Sequence, residues 1–143
     1  MRYDPRMVQP MREELTRLGF AELLTPDQVD EHLAVRDQTM LLVVNSICGC
    51  AAGKARPGVA LALQQGPRPN RLLTVFAGME VEATQRARDY FEGYSPSSPQ
   101  IALLKNGRVL HMLERKDIEG RDAPDIAQDL ASAFETFCAG AAA

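Results

Sequence analysis

The chain has 143 residues, 45% hydrophobic and 24% charged, with a net charge of −3 and a pI near 5.4, which suits one folded domain able to bury a core without disulfide staples. The acidic balance and the lack of a Lys/Arg cluster exclude a general nucleic-acid binder, because neutralising phosphates needs a basic face. No signal-peptide core follows Met1-Arg2-Tyr3 and no apolar run approaches the roughly 18 residues of a bilayer span, so a cytoplasmic protein with no membrane partner is expected.

Asp4 and Pro5 open a first segment, and Pro10, Met11, Leu15 and Leu18 have the spacing of one helical face that Gly19 stops. Thr25-Pro26-Asp27 reads as an N-cap with proline at the first helical position, leading into a short helix through Val29 and Leu33. Thr39 to Asn45 is apolar and β-branched, a strand buried on both faces of a sheet. Ala51 to Leu63 predicts a helix that Pro57 kinks or divides. A second strand, Leu72 to Phe76, and a second helix, Glu80 to Phe91 with Val81, Ala87 and Phe91 inward, follow. Gln100 to Leu104 and Arg108 to Leu113 pair as a hairpin across Asn106-Gly107. Asp122-Ala123-Pro124 starts a last helix through Ile126, Leu130, Phe134 and Phe137, and Ala141–Ala143 is expected to fray.

A strand-helix-strand unit with cysteines after its first strand, then a helix, a hairpin and a closing helix, is the thioredoxin-like order. The expected α/β fold is therefore a thioredoxin-like three-layer sandwich with a mixed central sheet and helices on both faces. One domain over 1–143 is expected, with about residues 1–36 as an N-terminal helical extension.

Cys48-Gly49-Cys50 sits where the first strand gives way to its helix. Cα atoms two residues apart span about 7 Å when extended, whereas a disulfide needs about 4.4–6.8 Å, so closing the pair demands a bend that Gly49 makes most freely. Cys48 stands just before the first turn, whose unpaired N–H groups and positive dipole end favour a thiolate, and is the expected nucleophile, with Cys50 as the resolving thiol. The one-residue spacing also predicts a strained, easily reduced disulfide. Lys54 and Arg56 read first as solvated helix charges and second as a source of positive potential at the sulfurs. A bare Cys-x-Cys is a weak signal that its strand-to-helix placement raises. A metal half-site, a redox-sensing module without turnover and inert packing remain as alternatives, although Cys138, His32 and His111 have no finger-like spacing to the pair.

Ser98-Pro99 directly precedes the hairpin strand, which resembles the place where thioredoxin-like proteins carry a cis-proline facing the cysteines, whose backbone groups would pair with an extended substrate; an ordinary trans turn proline is the alternative. His32 reads as a surface residue, His111 as a half-exposed sheet position and Cys138 as buried packing.

These residues resemble the bacilliredoxin family, thioredoxin-like proteins of bacteria that make the thiol bacillithiol. The likeness runs through Pro10-Met11-Arg12-Glu13-Glu14-Leu15, Gly19-Phe20, Val44-Asn45-Ser46-Ile47-Cys48-Gly49-Cys50-Ala51-Ala52-Gly53, Ala55-Arg56-Pro57, Val75-Phe76-Ala77-Gly78 and Ser97-Ser98-Pro99. It continues in His111-Met112, Arg115 and Ile118-Glu119-Gly120, and departs at Met79-Glu80, where relatives often carry Gln-Asp. The resemblance implies removal of bacillithiol from S-bacillithiolated client proteins: Cys48 takes bacillithiol onto itself, and Cys50 or free bacillithiol regenerates it. It also implies disulfide isomerase activity, bacillithiol as the low-molecular-weight co-substrate, and no bound cofactor or metal. Substrate binding is expected at Gly49, Ser98 and Pro99.

Overall fold

Five strands, β1 (Ala21–Glu22), β2 (Thr39–Asn45), β3 (Arg71–Phe76), β4 (Gln100–Lys105) and β5 (Arg108–Leu113), form one mixed sheet in the order β1-β3-β2-β4-β5. The computed structural model describes residues 2–64 and 66–138, so the expected fraying of Ala141–Ala143 lies outside them. β2 is central and wholly buried, parallel to β3 (Val43 opposite Thr74) and antiparallel to β4 (Val43 opposite Ile101). Its unbroken apolar run follows from that position, since both pleat faces lie under helices.

Side-chain alternation along β2 divides the core in two. Leu41 and Val43 pack with Val59, Ile126, Leu130 and Phe134, under α3 (Arg56–Ala62) and α6 (Ala123–Cys138). Met40, Leu42 and Val44 pack with Val29, Leu33, Ala83 and Ala87, under α2 (Pro26–Leu33) and α4 (Val81–Asp89). Each such Leu or Val contributes roughly 1.5–3 kcal/mol by leaving water, so the two faces anchor β2, and with it the residues at its carboxyl end. Gly58 lets α3 approach α6, because a Cβ there would sit 2.7 Å from Ile126 Cγ2.

Asn106 (φ 54°) and Gly107 (φ 74°) make the expected two-residue turn, both central residues taking the positive φ of the primed hairpin type. Leu104 pairs with Val109 and Leu103 with His111, leaving Leu110 as a one-residue bulge.

The structure departs from the sequence reading in several places. α1 (Pro5–Thr16) begins at Pro5, with the Asp4 carboxylate accepting the Arg6 N–H, and carries Pro10 in its interior. Neither β1 nor α5 (Arg115–Glu119) was expected. Val81 is 47% exposed and Ala83, Thr84 and Ala87 form the inner face of α4. On α6 the buried row steps by four from Ile126 through Leu130 and Phe134 to Cys138, which leaves Phe137 38% exposed. The helix after the cysteines is divided, as Pro57 predicts: a π-helical turn over Ala51–Ala55 leads into α3.

Candidate active site

β2 ends at Asn45, and Ser46 and Ile47 carry the chain to Cys48. The Cys48 carbonyl accepts the N–H groups of Ala51 (2.9 Å) and Ala52 (3.2 Å), which sets Cys48 at the threshold of the helix. Gly49 and Cys50 are already helical, and this onset supplies the bend. Gly49 has no positive φ and a Cβ there would meet nothing within 4 Å, so the special freedom of glycine is not what bends the chain. Both cysteines are free thiols, partly exposed, with their Sγ atoms 3.2 Å apart.

The two thiols are unequal. Burial pushes Cys48 up, but it is outweighed by the Cys50 thiol and the Cys50 N–H (3.4 Å), the positive charge of Arg115 and the Ala51 N–H, so Cys48 lies below the ordinary thiol value. Cys50 is raised, chiefly because it holds its proton toward Cys48, then by burial and by the charges of Cys48 and Glu119, with Arg115 opposing. Cys48 is therefore the more acidic thiol of the pair, and Cys50 the one that holds its proton to higher pH.

A buried network fixes the approach to Cys48. Arg56 is 2% exposed and donates from one terminal nitrogen to Asn45 Oδ1 (2.8 Å) and to the Ser46 carbonyl (3.0 Å). Its Nε lies 3.2 Å from Glu14 Oε1 without hydrogen-bond geometry. Asn45 Oδ1 also accepts the Ser46 N–H, Asn45 Nδ2 donates to the Met11 carbonyl, and Ser46 Oγ accepts the Cys48 N–H at 3.2 Å. Arg56 is thus a core residue and not a solvated charge. Lys54 spends its ammonium on the Glu119 carbonyl, and the cation acting on Cys48 is Arg115.

The Ser98-Pro99 bond is cis, and Pro99 is buried. The loop is held from two sides: Arg88 donates to the Ser97 carbonyl (2.9 Å), while Arg115 donates from its amide to Ser97 Oγ (3.3 Å) and from its guanidinium to the Ser98 carbonyl (3.4 Å). A cavity of about 380 Å³ opens beside Cys48, bordered by Tyr3, Ser46, Gly78, Ser98 and Arg115. Of the expected site residues, Cys48 and Ser98 line it, whereas Gly49, Cys50 and Pro99 do not. Tyr3 reaches this wall because position 78 is glycine, at φ +88°, where a Cβ would stand 2.7 Å from the Tyr3 ring. The neighbouring Glu80 carboxylate accepts from both terminal guanidinium nitrogens of Arg12 at 2.7 and 2.8 Å, tying α1 to this loop.

A family model described as disulphide isomerase matches residues 3–138. A bacilliredoxin of Salinibacter ruber is 55% identical over 96% of this chain and 82% of its own length. One from Koribacter versatilis is 50% identical over 98% and 97%, and one from Bacillus cereus 51% identical over 92% and 91%. The chain belongs to the bacilliredoxin family. A solved thioredoxin of Malassezia sympodialis superposes with a TM-score of 0.54 at 14% identity, over 82% of this chain and 90% of that one, which shows the thioredoxin-like fold.

Bacilliredoxin membership on a thioredoxin-like fold makes the protein a thiol-disulfide oxidoreductase. Other residues weighed in this bacilliredoxin sequence lie outside the cavity. His32 Nδ1 meets Arg71 at 3.0 Å, His111 pairs with Asp129 at 2.5 Å beside Arg121, and Cys138 is fully buried. No three His, Cys, Asp or Glu side chains among the described residues are placed to hold a metal ion. Among these residues no helix is long and apolar enough to cross a membrane. Sequence reasoning missed the roles of Arg115 and Arg56. A local signal for the placement of Arg115 was Glu114-Arg115-Lys116-Asp117, a capping box that starts α5 and so fixes Arg115 at its first turn.

Proposed function

We propose that the protein removes bacillithiol from S-bacillithiolated client proteins in the cytoplasm. The Cys48 thiolate attacks the bacillithiol sulfur of the mixed disulfide, the client sulfur leaves as its thiolate, and Cys48 now carries bacillithiol. Free bacillithiol then attacks that sulfur to give bacillithiol disulfide and the Cys48 thiolate. Alternatively, Cys50 loses its proton and displaces bacillithiol, closing a Cys48–Cys50 disulfide that a further thiol must reduce.

The observation that supports this reading most is the division of labour between the thiols: Cys48 held low and Cys50 held high, 3.2 Å apart. Ser98 and Pro99 are the substrate-facing loop in this reading, with the Ser98 carbonyl tied to Arg115. Attack on a client disulfide instead of a bacillithiol conjugate would rearrange it, and the description of the matching family model favours such isomerase action as a second activity.

Intact-mass analysis of a bacillithiolated model protein incubated with wild type, Cys48→Ala and Cys50→Ala tests the assignment. Wild type should release bacillithiol, Cys48→Ala should not, and Cys50→Ala should accumulate bacillithiol on Cys48 until excess small thiol is added. Release by Cys48→Ala at the wild-type rate would disprove the nucleophile.

A further inference from the structure

We propose that the cavity beside Cys48 is a subsite for the low-molecular-weight half of the mixed disulfide, and that the guanidinium of Arg115 selects thiols bearing a carboxylate. The inference deepens the function proposed above and rests on it for the order of attack. If Cys48 takes the small thiol onto itself, the small thiol's sulfur is the one that touches Cys48 Sγ, and its body must be housed within a few bonds of that atom. The client sulfur, as leaving group, departs on the far side of the line of attack.

The space that meets this demand is the cavity of about 380 Å³, within the range of small-molecule sites, with Cys48 as one wall. Tyr3 and Gly78 form an aromatic wall whose position depends on the missing Cβ at residue 78. Arg115 is the cation among the lining residues. Its guanidinium is held by Glu119 Oε1 on Nε (3.3 Å) and by the Ser98 carbonyl on one terminal nitrogen (3.4 Å), and its side chain remains 44% exposed. A planar fork fixed on one side and open on the other is suited to a carboxylate, which it can bind through charge-assisted hydrogen bonds. A larger depression of about 630 Å³, lined by His111, Arg121, Asp129 and Phe137, contains no cysteine.

The test uses one client peptide conjugated through a disulfide either to 3-mercaptopropionate, which has a carboxylate, or to 2-mercaptoethanol, which is neutral. Release of the peptide thiol is followed in single turnovers with reduced wild type, Arg115→Gln and Arg115→Lys in excess over the conjugate, so that no regenerating thiol is needed, each rate divided by that of the same conjugate with dithiothreitol. Assays at a pH high enough to ionise Cys48 in all three proteins remove any effect of Arg115 on the thiolate. Wild type should favour the carboxylate conjugate about tenfold in kcat/KM, mainly through KM, Arg115→Gln should bring the ratio near one, and Arg115→Lys should retain part of it. A wild-type ratio near one, or a ratio unchanged in Arg115→Gln, overturns the subsite even if bacillithiol is released from its own conjugates. A ratio that collapses in Arg115→Gln supports it even if the bacillithiol conjugate proves inert, so the two readings fail separately.

Discussion

Cys48 and Cys138 carry the same thiol, and burial is the largest influence on each, yet they end on opposite sides of the ordinary value. Cys138 closes the buried row of α6 at 0% exposure, and the pull of Thr39 and Lys105 does not offset its desolvation. Cys48 loses less water and gains donors: the Cys50 thiol, two backbone N–H groups and the charge of Arg115. The difference in acidity is therefore made by what points at the sulfur: donors and a cation at the end of a strand and the start of a helix for Cys48, an apolar helix face packed on the sheet for Cys138.

The largest way to disturb that contrast is to remove the scaffold that aims the donors. Arg56→Met deletes two hydrogen bonds to Asn45 and Ser46 and leaves their oxygens buried, a loss of about 2–3 kcal/mol in urea unfolding. Because Ser46 Oγ holds the Cys48 N–H, the surviving folded protein should also alkylate more slowly at Cys48. Unchanged stability with unchanged reactivity would show that the network does not support the site.

A smaller effect separates the thiols by pH. Cys138 is raised in the fold, so the stability it gives is whole below the unfolded thiol value of about 8.5 and is lost as pH climbs toward its native value. Cys48 is lowered, so its contribution is present above about 8.5 and is lost as pH falls through its native value. Cys138→Ala should flatten the alkaline decline in stability and leave exchange activity intact, while Cys48→Ala should remove a rise on the approach to pH 8.5. Identical stability-versus-pH curves for the two variants would erase the distinction.

What the sequence made legible follows from how local the causes are. β2, the Cys48-Gly49-Cys50 junction and the Asn106-Gly107 turn are specified by runs of a few neighbouring residues. Ser98-Pro99 was legible by position, since a proline preceding β4 faces the carboxyl end of β2 once the strands pair. β1 has two residues, and its strand character comes only from its parallel partner β3. Arg56 was misread because a helix charge beside a reactive site looks solvated until Asn45, Ser46 and Glu14 close around it. Arg115 reaches Cys48 from a five-residue helix distant in sequence, and no periodicity encodes that meeting.

The most direct measurement is pH-resolved alkylation of the folded, reduced protein with iodoacetamide, read separately at Cys48, Cys50 and Cys138 by peptide mass. Cys48 should react first, with a midpoint below the ordinary thiol value of about 8.5, while Cys50 lags and Cys138 stays protected until the chain unfolds. A Cys48 midpoint at or above that value, or Cys50 reacting ahead of it, would contradict the account.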